Sequence, residues 1–171
     1  MVYTSNRNSS SPIKTPSYSG FIPASESSSR AKRNNRGQDT KHELSLRREL
    51  WHMGFRFRKN VSSLPGKPDI VFRTQRVVVF CDGDFWHGRN WKALKRSLSS
   101  GTNHAYWVAK IESNRKRDAL NNARLKKAGW HVIRLWETDI NRDPLWAAQL
   151  IKKTIQVLNR KMGGMKLHSS K

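Results

Sequence analysis

The 171-residue sequence has little cysteine and no long apolar run. A single cysteine, Cys81, excludes an internal disulfide and any cysteine-rich zinc module, which favours an intracellular, cytoplasmic protein. No apolar run approaches the roughly 18 residues that a membrane-spanning helix needs, and the N-terminus lacks the apolar stretch of a secretory signal. We therefore expect a chain that neither depends on disulfides nor inserts into a membrane.

Acidic residues are also scarce. Asp and Glu number 12 against 34 Lys and Arg, which gives a formal net charge of +22. A basic excess of this size predicts a polyanionic partner that is bound less tightly as salt rises. Neither an amphipathic basic helix for an anionic membrane nor a lipidation signal is evident. The composition thus favours nucleic acid, and a bacterial or phage protein associated with the nucleoid.

The composition changes along the chain. Residues 1–38 are rich in Ser, Asn, Arg, Lys and Pro, so they cannot bury enough apolar surface to offset the entropy of ordering. We expect a disordered basic arm there, which either adds phosphate contacts or is a solvated tail. The patterned region, residues 39–161, is long enough for one self-sufficient domain, and residues 162–171 are expected to be a flexible tail.

Periodicity within the domain predicts an α/β fold. A capping box at Thr40 and a stop at Gly54 favour a first helix, and two short β-type runs are close enough to pair as a hairpin. A later helix would cross over to a strand parallel to the second run. The predicted helices cover 41–53, 105–128 and 144–161, the predicted strands cover 55–58, 69–72, 77–81 and 130–136, and 84–104 is irregular. This arrangement is a mixed sheet of about four strands flanked by helices.

Two carboxylates fall at the ends of the hairpin strands. Asp69 opens one strand after Pro68, and Asp82 closes the next beside Gly83. If the strands pair, Asp69, Asp82 and the Cys81 carbonyl converge and offer the hard oxygen ligands that Mg²⁺ prefers. The alternative is that Asp69 only caps the turn or satisfies a local backbone amide.

Three further side chains are candidates for catalysis. His87 follows in a polar, aromatic loop, and its ordinary pKa suits proton transfer near neutral pH, although isolated histidines are more often structural. Asp118 falls on the inward face of the long helix, where it needs a partner such as His87 or Arg115. Glu43 is explained by the capping box, but a helix beside the strand ends could also aim it at a metal.

Aromatic and basic residues next to this group are candidates for DNA binding. Phe85 and Trp86 are adjacent, so they cannot both face one core in an extended segment. They either fill the core with local distortion or stack on bases and wedge between them. Lys67 and Arg89 are the candidate phosphate contacts. Together these residues predict a metal-dependent enzyme that cuts DNA.

At this point the sequence resembles a known family, the very short patch repair (Vsr-type) DNA mismatch endonucleases. The resemblance covers about residues 36 to 140 and rests on Glu43, the segment 64–69, the segment 77–87, Arg117-Asp118 and the segment 129–137. It implies a restriction-endonuclease-like PD-(D/E)XK core. By this resemblance Asp69 and the Cys81 carbonyl would bind Mg²⁺, and Glu43 would hold metal-bound water. His87 would be the general base or acid, and Asp118 would orient it. Phe85 and Trp86 would insert into DNA.

The resemblance also implies a reaction, the nicking of duplex DNA 5′ to the T of a G·T mismatch. The sequence departs from the family in two places. Asp82 stands where some members have a histidine, and Asp84, Arg89, Trp91 and Thr138 stand where the family holds a structural zinc. We therefore expect no structural zinc, and packing or salt bridges to hold this loop.

Other functions remain open from the sequence. A site-specific restriction or homing endonuclease of the same fold would need two active sites, hence a dimer, whereas a nickase can act as a monomer. A non-catalytic basic DNA-binding protein would explain the composition but not the acidic residues at strand ends. The expected partners are double-stranded DNA and, for a repair enzyme, mismatch-repair proteins.

Overall fold

The computed structural model describes residues 16–17 and 37–168, with side chains as far as residue 160. The predicted basic arm lies almost entirely outside the described residues, as does the end of the predicted tail. The elements, in chain order, are α1 (Lys41–His52), β1 (Arg58–Lys59), β2 (Ile70–Phe72), β3 (Val77–Asp82), α2 (Trp91–Leu98), α3 (His104–Lys127), β4 (His131–Trp136), α4 (Glu137–Arg142) and α5 (Pro144–His168).

The four strands form one mixed sheet in the order β1-β2-β3-β4. β2 and β3 pair antiparallel, with Ile70 opposite Val79, and β3 and β4 pair parallel, with Phe80 opposite Arg134. All six residues of β3 are buried, as expected for a central strand covered on both faces. The predicted α/β architecture, a mixed sheet of four strands flanked by helices, is therefore confirmed.

Helices cover both faces of this sheet. On one face, α1 and α5 bury Leu46, Leu50 and Ile151 against Val77 and Val79. On the other, the long crossover helix α3 buries Leu125 against Val71, Val78 and Phe80. Because side chains alternate along a strand, residues 80, 82 and 134 share the α3 face. Polar residues at the carboxyl end of β3 are thus aimed at α3.

Several predicted boundaries were wrong. The strand predicted over 55–58 is only Arg58–Lys59, because Phe55 and Phe57 pack edge-on against Phe72 instead of pairing. Two short helices, α2 and α4, occur where an irregular segment and no element were expected. The last helix continues to His168, beyond the stop expected near residue 161. The glycines there weaken a helix by about 1 kcal/mol each without ending it.

No helix in the described part of the chain is both long and apolar enough to cross a membrane.

Candidate active site

A cleft of about 660 Å³ opens at the carboxyl end of β3. Three parts of the chain meet there because the hairpin, the start of α1 and the loop after β3 share one edge of the sheet. The cleft is lined by Glu43, Asp69, Cys81, Asp82 and His87, among others. The structure therefore brings these five residues, and the predicted DNA contacts Lys67 and Trp86, to one place.

Asp69 lies at the start of β2 with its carboxylate against the backbone of β3. The N–H of Cys81 donates to Oδ2 of Asp69 at 2.7 Å. Burial raises the pKa of Asp69 to about 6, the Cys81 N–H opposes this, and the negative charge of Glu43 adds to it. Burial, and to a smaller extent the neighbouring negative charges, disfavours the ionised form of Asp69, and a bound cation would favour it.

Asp82 lines the cleft, but it pairs with an arginine that the sequence did not predict there. Its two oxygens accept hydrogen bonds from Arg134, Oδ2 from Nε at 2.5 Å and Oδ1 from Nη2 at 2.6 Å. A bidentate ion pair of this kind uses one lone pair on each carboxylate oxygen. Among the described residues, no group of three or more His, Cys, Asp or Glu side chains could hold a metal ion. The expected site also used the Cys81 carbonyl, which such a group does not include, so Asp82 as a metal ligand stays a prediction.

His87 pairs with Asp118 across the gap between the loop and α3. The Nδ1 atom of His87 lies 2.6 Å from Oδ2 of Asp118. Burial raises the pKa of Asp118, but the hydrogen bond and positive charge of His87 and the charge of Arg134 outweigh it, so the pKa is lowered. This pairing leaves Nε2 of His87 as the ring nitrogen for proton exchange.

Glu43 is held inside the N-terminus of α1. Its Oε1 accepts from the Thr40 hydroxyl at 2.7 Å and from the Thr40 N–H at 3.5 Å, as in a capping box. Its Oε2 accepts from Arg47 at 2.5 Å. The Glu43 residue is 3% exposed, so the pairing with Arg47 is what makes its buried charge tolerable.

Sequence reasoning missed several residues of the site. Arg134 and Arg47 each pair with a predicted catalytic carboxylate, and His42 and Glu137 line the cleft 3.7 Å from each other. The sequence held a signal only for Arg134, a charged residue inside an apolar strand. A second cleft of about 400 Å³ adjoins the first through His87 and Lys67, and Asp118 and Arg134 line it.

Lys67 stands at both clefts because of the turn that carries it. Gly66 has φ of +77° and Lys67 has φ of +52°. A Cβ on Gly66 would lie 3.0 Å from Nδ2 of Asn121 and 3.2 Å from the Phe80 ring, so only glycine allows this close approach. The exposed Lys67 side chain thus lines the same cleft as Asp69 without burying its charge.

Phe85 and Trp86 belong to an aromatic cluster rather than to the core. Their ring centroids are 5.3 Å apart, and Trp107 of α3 lies 5.4 Å from Phe85 and 5.8 Å from Trp86. All three contacts are edge-to-face, and Phe85 is 36% exposed. Sequence reasoning missed Trp107, because its distance of 21 positions from Trp86 in the chain gives no sign of contact.

We call residues 83–90 the aromatic loop. α3 holds one side of it, where Asn114 donates to the carbonyl of Trp86 at 2.9 Å and Arg115 donates to that of Gly88 at 3.1 Å. On the other side Arg89 donates to Asp139 of α4 at 2.9 Å. Arg89, expected to contact DNA, is therefore engaged in an ion pair within the protein.

The comparisons with known proteins agree with this geometry. The family model described as "DNA mismatch endonuclease Vsr" matches residues 22–93. The chain is 39% identical over 122 residues to "Type II nicking enzyme V.NmeDIP" of Neisseria meningitidis serogroup C, covering 71% of this chain and 81% of the relative. It is 38% identical over 124 residues to "Type II nicking enzyme V.HpaIIP" of Haemophilus parainfluenzae, covering 72% and 86%.

The chain belongs to the Vsr family. It is also 37% identical over 100 residues, 58% of this chain and 62% of the relative, to "DNA mismatch endonuclease Vsr" of Escherichia coli K12. As a Vsr-family protein it is an endodeoxyribonuclease, and its substrate is DNA. The basic composition, with a net charge of +22, agrees with a DNA substrate.

This Vsr-family chain holds its aromatic loop with polar side chains. Thr138 donates a hydrogen bond to Asp84, and Arg89 lies 3.5 Å from Asp84 and 2.9 Å from Asp139. We call Asp84, Arg89, Thr138 and Asp139 the loop clamp. An arginine and a threonine do not fit a structural zinc site, which takes cysteine and histidine ligands.

Asp69 and the Cys81 backbone do fit a catalytic Mg²⁺. That ion is commonly bound by only one or two carboxylates, with water and substrate phosphate completing its six ligands. Oδ1 of Asp69 accepts no hydrogen bond from the described side chains and backbone groups, so it remains available. One carboxylate and one carbonyl oxygen in a cleft of this size suffice for such a site.

Proposed function

We propose that this endonuclease is a Mg²⁺-dependent nickase that cuts duplex DNA 5′ to the T of a G·T mismatch in very short patch repair. The observation that carries the proposal is the His87–Asp118 pair beside the buried carboxylate of Asp69. Mismatch nicking is supported by the printed names of the relatives, two of them nicking enzymes and one a mismatch endonuclease. Nicking one strand requires one active site, so the proposed enzyme acts as a monomer.

In the proposed mechanism Asp69 and the Cys81 carbonyl would hold Mg²⁺, and the bound ion would supply polarisation of the phosphate and activation of water. Asp118 accepts the Nδ1 proton of His87 and fixes the ring, so that Nε2 exchanges a proton with the attacking water or the leaving oxygen. Glu43, already held by Arg47, orders water at the edge of the cleft.

Lys67 and the aromatic cluster would place the DNA. The Lys67 side chain lines the cleft that holds Asp69, where its ammonium can contact a phosphate and offset charge on the transition state. Phe85, Trp86 and Trp107 form one partly exposed surface whose rings can enter the duplex beside a weakened base pair. Unstacking is easiest at a mismatch, which favours mismatched DNA as the substrate.

The proposal is tested with two labelled duplexes that differ only by one G·T pair. We expect a nick in the T strand of the mismatched duplex, dependent on added Mg²⁺ and lost in Asp69→Asn. Asp143→Asn is the matched control, because Asp143 is an exposed N-cap residue and Asn caps a helix equally well. Equal cutting of both duplexes, or double-strand cleavage at a fixed sequence, would favour the restriction or homing alternative. No cutting of either duplex by a protein that binds both would contradict nuclease action on them.

A further inference from the structure

Arg134 occupies the centre of a polar cluster between the sheet and α3. Its side chain extends from β4 over the ring of Phe80, with 4.7 Å between the guanidinium carbon and the ring centroid. It forms the bidentate pair with Asp82, whose side chain is only 4% exposed. A carboxylate buried this deeply needs its partner, because an unpaired buried charge is strongly destabilising.

The same guanidinium also reaches the catalytic pair. Its Nη2 lies 3.4 Å from Oδ1 of Asp118 and 3.4 Å from Nδ1 of His87. Its Nη1 donates to Asn122 at 3.1 Å, one helical turn after Asp118. Arg134 therefore connects the end of β3 to the part of α3 that holds His87.

Two carboxylates compete for one nitrogen of His87. Nδ1 lies 2.6 Å from Oδ2 of Asp118 and 3.7 Å from Oδ1 of Asp82. If Asp82 were unpaired, its ionised carboxylate would attract the Nδ1–H and rotate the ring away from Asp118. Because Arg134 occupies both oxygens of Asp82, the Nδ1–H remains with Asp118.

We propose that Arg134 is a positioning residue for the nuclease reaction, which holds His87 against Asp118 by neutralising Asp82 and bracing Asp118. The inference rests on the proposed role of His87 and needs no contact between Arg134 and DNA. It also gives Asp82 a new role, that of anchor for the guanidinium in place of metal ligand. The role is specific to arginine, because a lysine ammonium cannot form the planar fork to Asp82 and reach Asp118 and Asn122 together.

The test compares Arg134→Lys, Arg134→Gln and the double variant Arg134→Gln/Asp82→Asn with the wild type. For each protein we would measure the melting temperature, the Kd for a G·T duplex without metal, and the single-turnover cleavage rate at saturating enzyme with Mg²⁺. Arg48→Gln is the matched control, because that side chain is 67% exposed and pairs with the neighbouring Glu49.

We expect Arg134→Lys and Arg134→Gln to bind the duplex within about threefold of wild type but to cleave it about 100-fold more slowly, the loss typical of a misplaced catalytic group. The double variant should regain at least about tenfold of the rate lost in Arg134→Gln, because an amide at position 82 no longer competes for His87. The control should cleave at the wild-type rate.

Two results would overturn the inference. One is a folded Arg134→Lys protein that cleaves at the wild-type rate, which would limit Arg134 to a structural role. This outcome can be measured even if Arg134→Gln does not fold. The other is a double variant that cleaves no faster than Arg134→Gln. That result would show that Asp82 does not compete with Asp118 for the Nδ1–H of His87. Failure of the proposed function looks different, since His87→Ala and Asp69→Asn would then cleave like wild type.

Discussion

Asp69 illustrates how a single ionised residue can weaken a fold. Its carboxylate is buried, and its pKa is raised to about 6 from an ordinary value of 3.8. The folded state therefore binds this proton more tightly than the unfolded state does, so ionising Asp69 costs stability at any pH above about 6. Two pKa units correspond to about 3 kcal/mol, which is an upper figure for a group that keeps some contact with water.

We therefore predict that Asp69→Asn is more stable than wild type at pH 8, by about 1 to 3 kcal/mol in the free energy of unfolding. The amide oxygen can still accept from the Cys81 N–H, while the charge is gone. The advantage should shrink as the pH falls from about 6 to 4, where wild-type Asp69 is protonated. Urea titrations at pH 4, 6 and 8 measure this, with Asp143→Asn as the control. A variant less stable than wild type at pH 8 would contradict the raised pKa of Asp69.

The His87–Asp118 pair predicts losses in chemistry without losses in binding. His87→Ala should lower the single-turnover cleavage rate by about 10² to 10⁴ while the Kd for DNA stays within about threefold, since proton transfer contributes on that scale. A Kd that rises in proportion to the loss of rate would instead place His87 in DNA binding.

Asp118→Asn should have its own stability signature. The pKa of Asp118 is lowered in the folded state, so its charge stabilises the fold above the unfolded pKa, and this contribution is lost as the pH falls through the folded pKa. The variant should be less stable than wild type near pH 7, and the difference should disappear in acid. Thermal melts from pH 7 down to pH 3 measure it, and a difference that grows on acidification would contradict the pairing.

At the scale of elements, the aromatic loop depends on two helices that are far from it in the chain. Gly88 has φ of +69°, and a Cβ there would lie 3.0 Å from Ile111 of α3. On the opposite side the loop clamp joins it to α4 through Arg89 and Asp139. Ion pairs and hydrogen bonds thus position the loop that carries Phe85 and Trp86. Two of the clamp residues, Arg89 and Thr138, are not metal ligands.

This arrangement predicts that a chelator separates activity from stability. EDTA should abolish cleavage by removing the catalytic ion, yet leave the melting temperature unchanged within about 1 °C, because ion pairs and not zinc hold the loop. Arg89→Met should lower the melting temperature, since it leaves Asp84 without its cation and Asp139 with only the exposed Arg142. Differential scanning calorimetry with and without EDTA measures the melting temperature. A large drop with EDTA alone would contradict the prediction that ion pairs hold the aromatic loop.

At the scale of the whole molecule, the net charge of +22 controls affinity. We predict that the Kd for a duplex rises steeply with salt, by about 10³ or more between 50 and 200 mM if six or more phosphates are contacted. Lys67→Gln should reduce the slope of log Kd against log salt by about 1, because it removes one phosphate contact. Fluorescence anisotropy measures both slopes, with Lys95→Gln as the control, since Lys95 pairs with Glu112. An unchanged slope for Lys67→Gln would show that Lys67 does not contact a DNA phosphate.

Local signals in the sequence were sufficient for much of the fold. The capping box and Gly54 bounded α1, the apolar run 77–81 predicted a buried strand, and the crossover helix predicted the parallel β4. The same signals failed for α2 and α4, which are too short to establish a periodicity. They failed as well for the strand at 55–58, where packing of Phe55 and Phe57 on Phe72 outweighed the alternating pattern.

The sequence by itself determined which residues could take part in chemistry, because residue type and position at strand ends are local properties. It therefore predicted Asp69 as a candidate metal-binding carboxylate, His87 as a candidate base or acid, and a basic surface for DNA. Only the tertiary structure decided which charges pair. Asp82 and Arg134 are 52 positions apart, and Asp118 and His87 are 31 apart. Such pairings depend on strand register and helix placement, which short-range patterns do not encode. Only the structure therefore shows that Asp82, an expected metal ligand, pairs with Arg134.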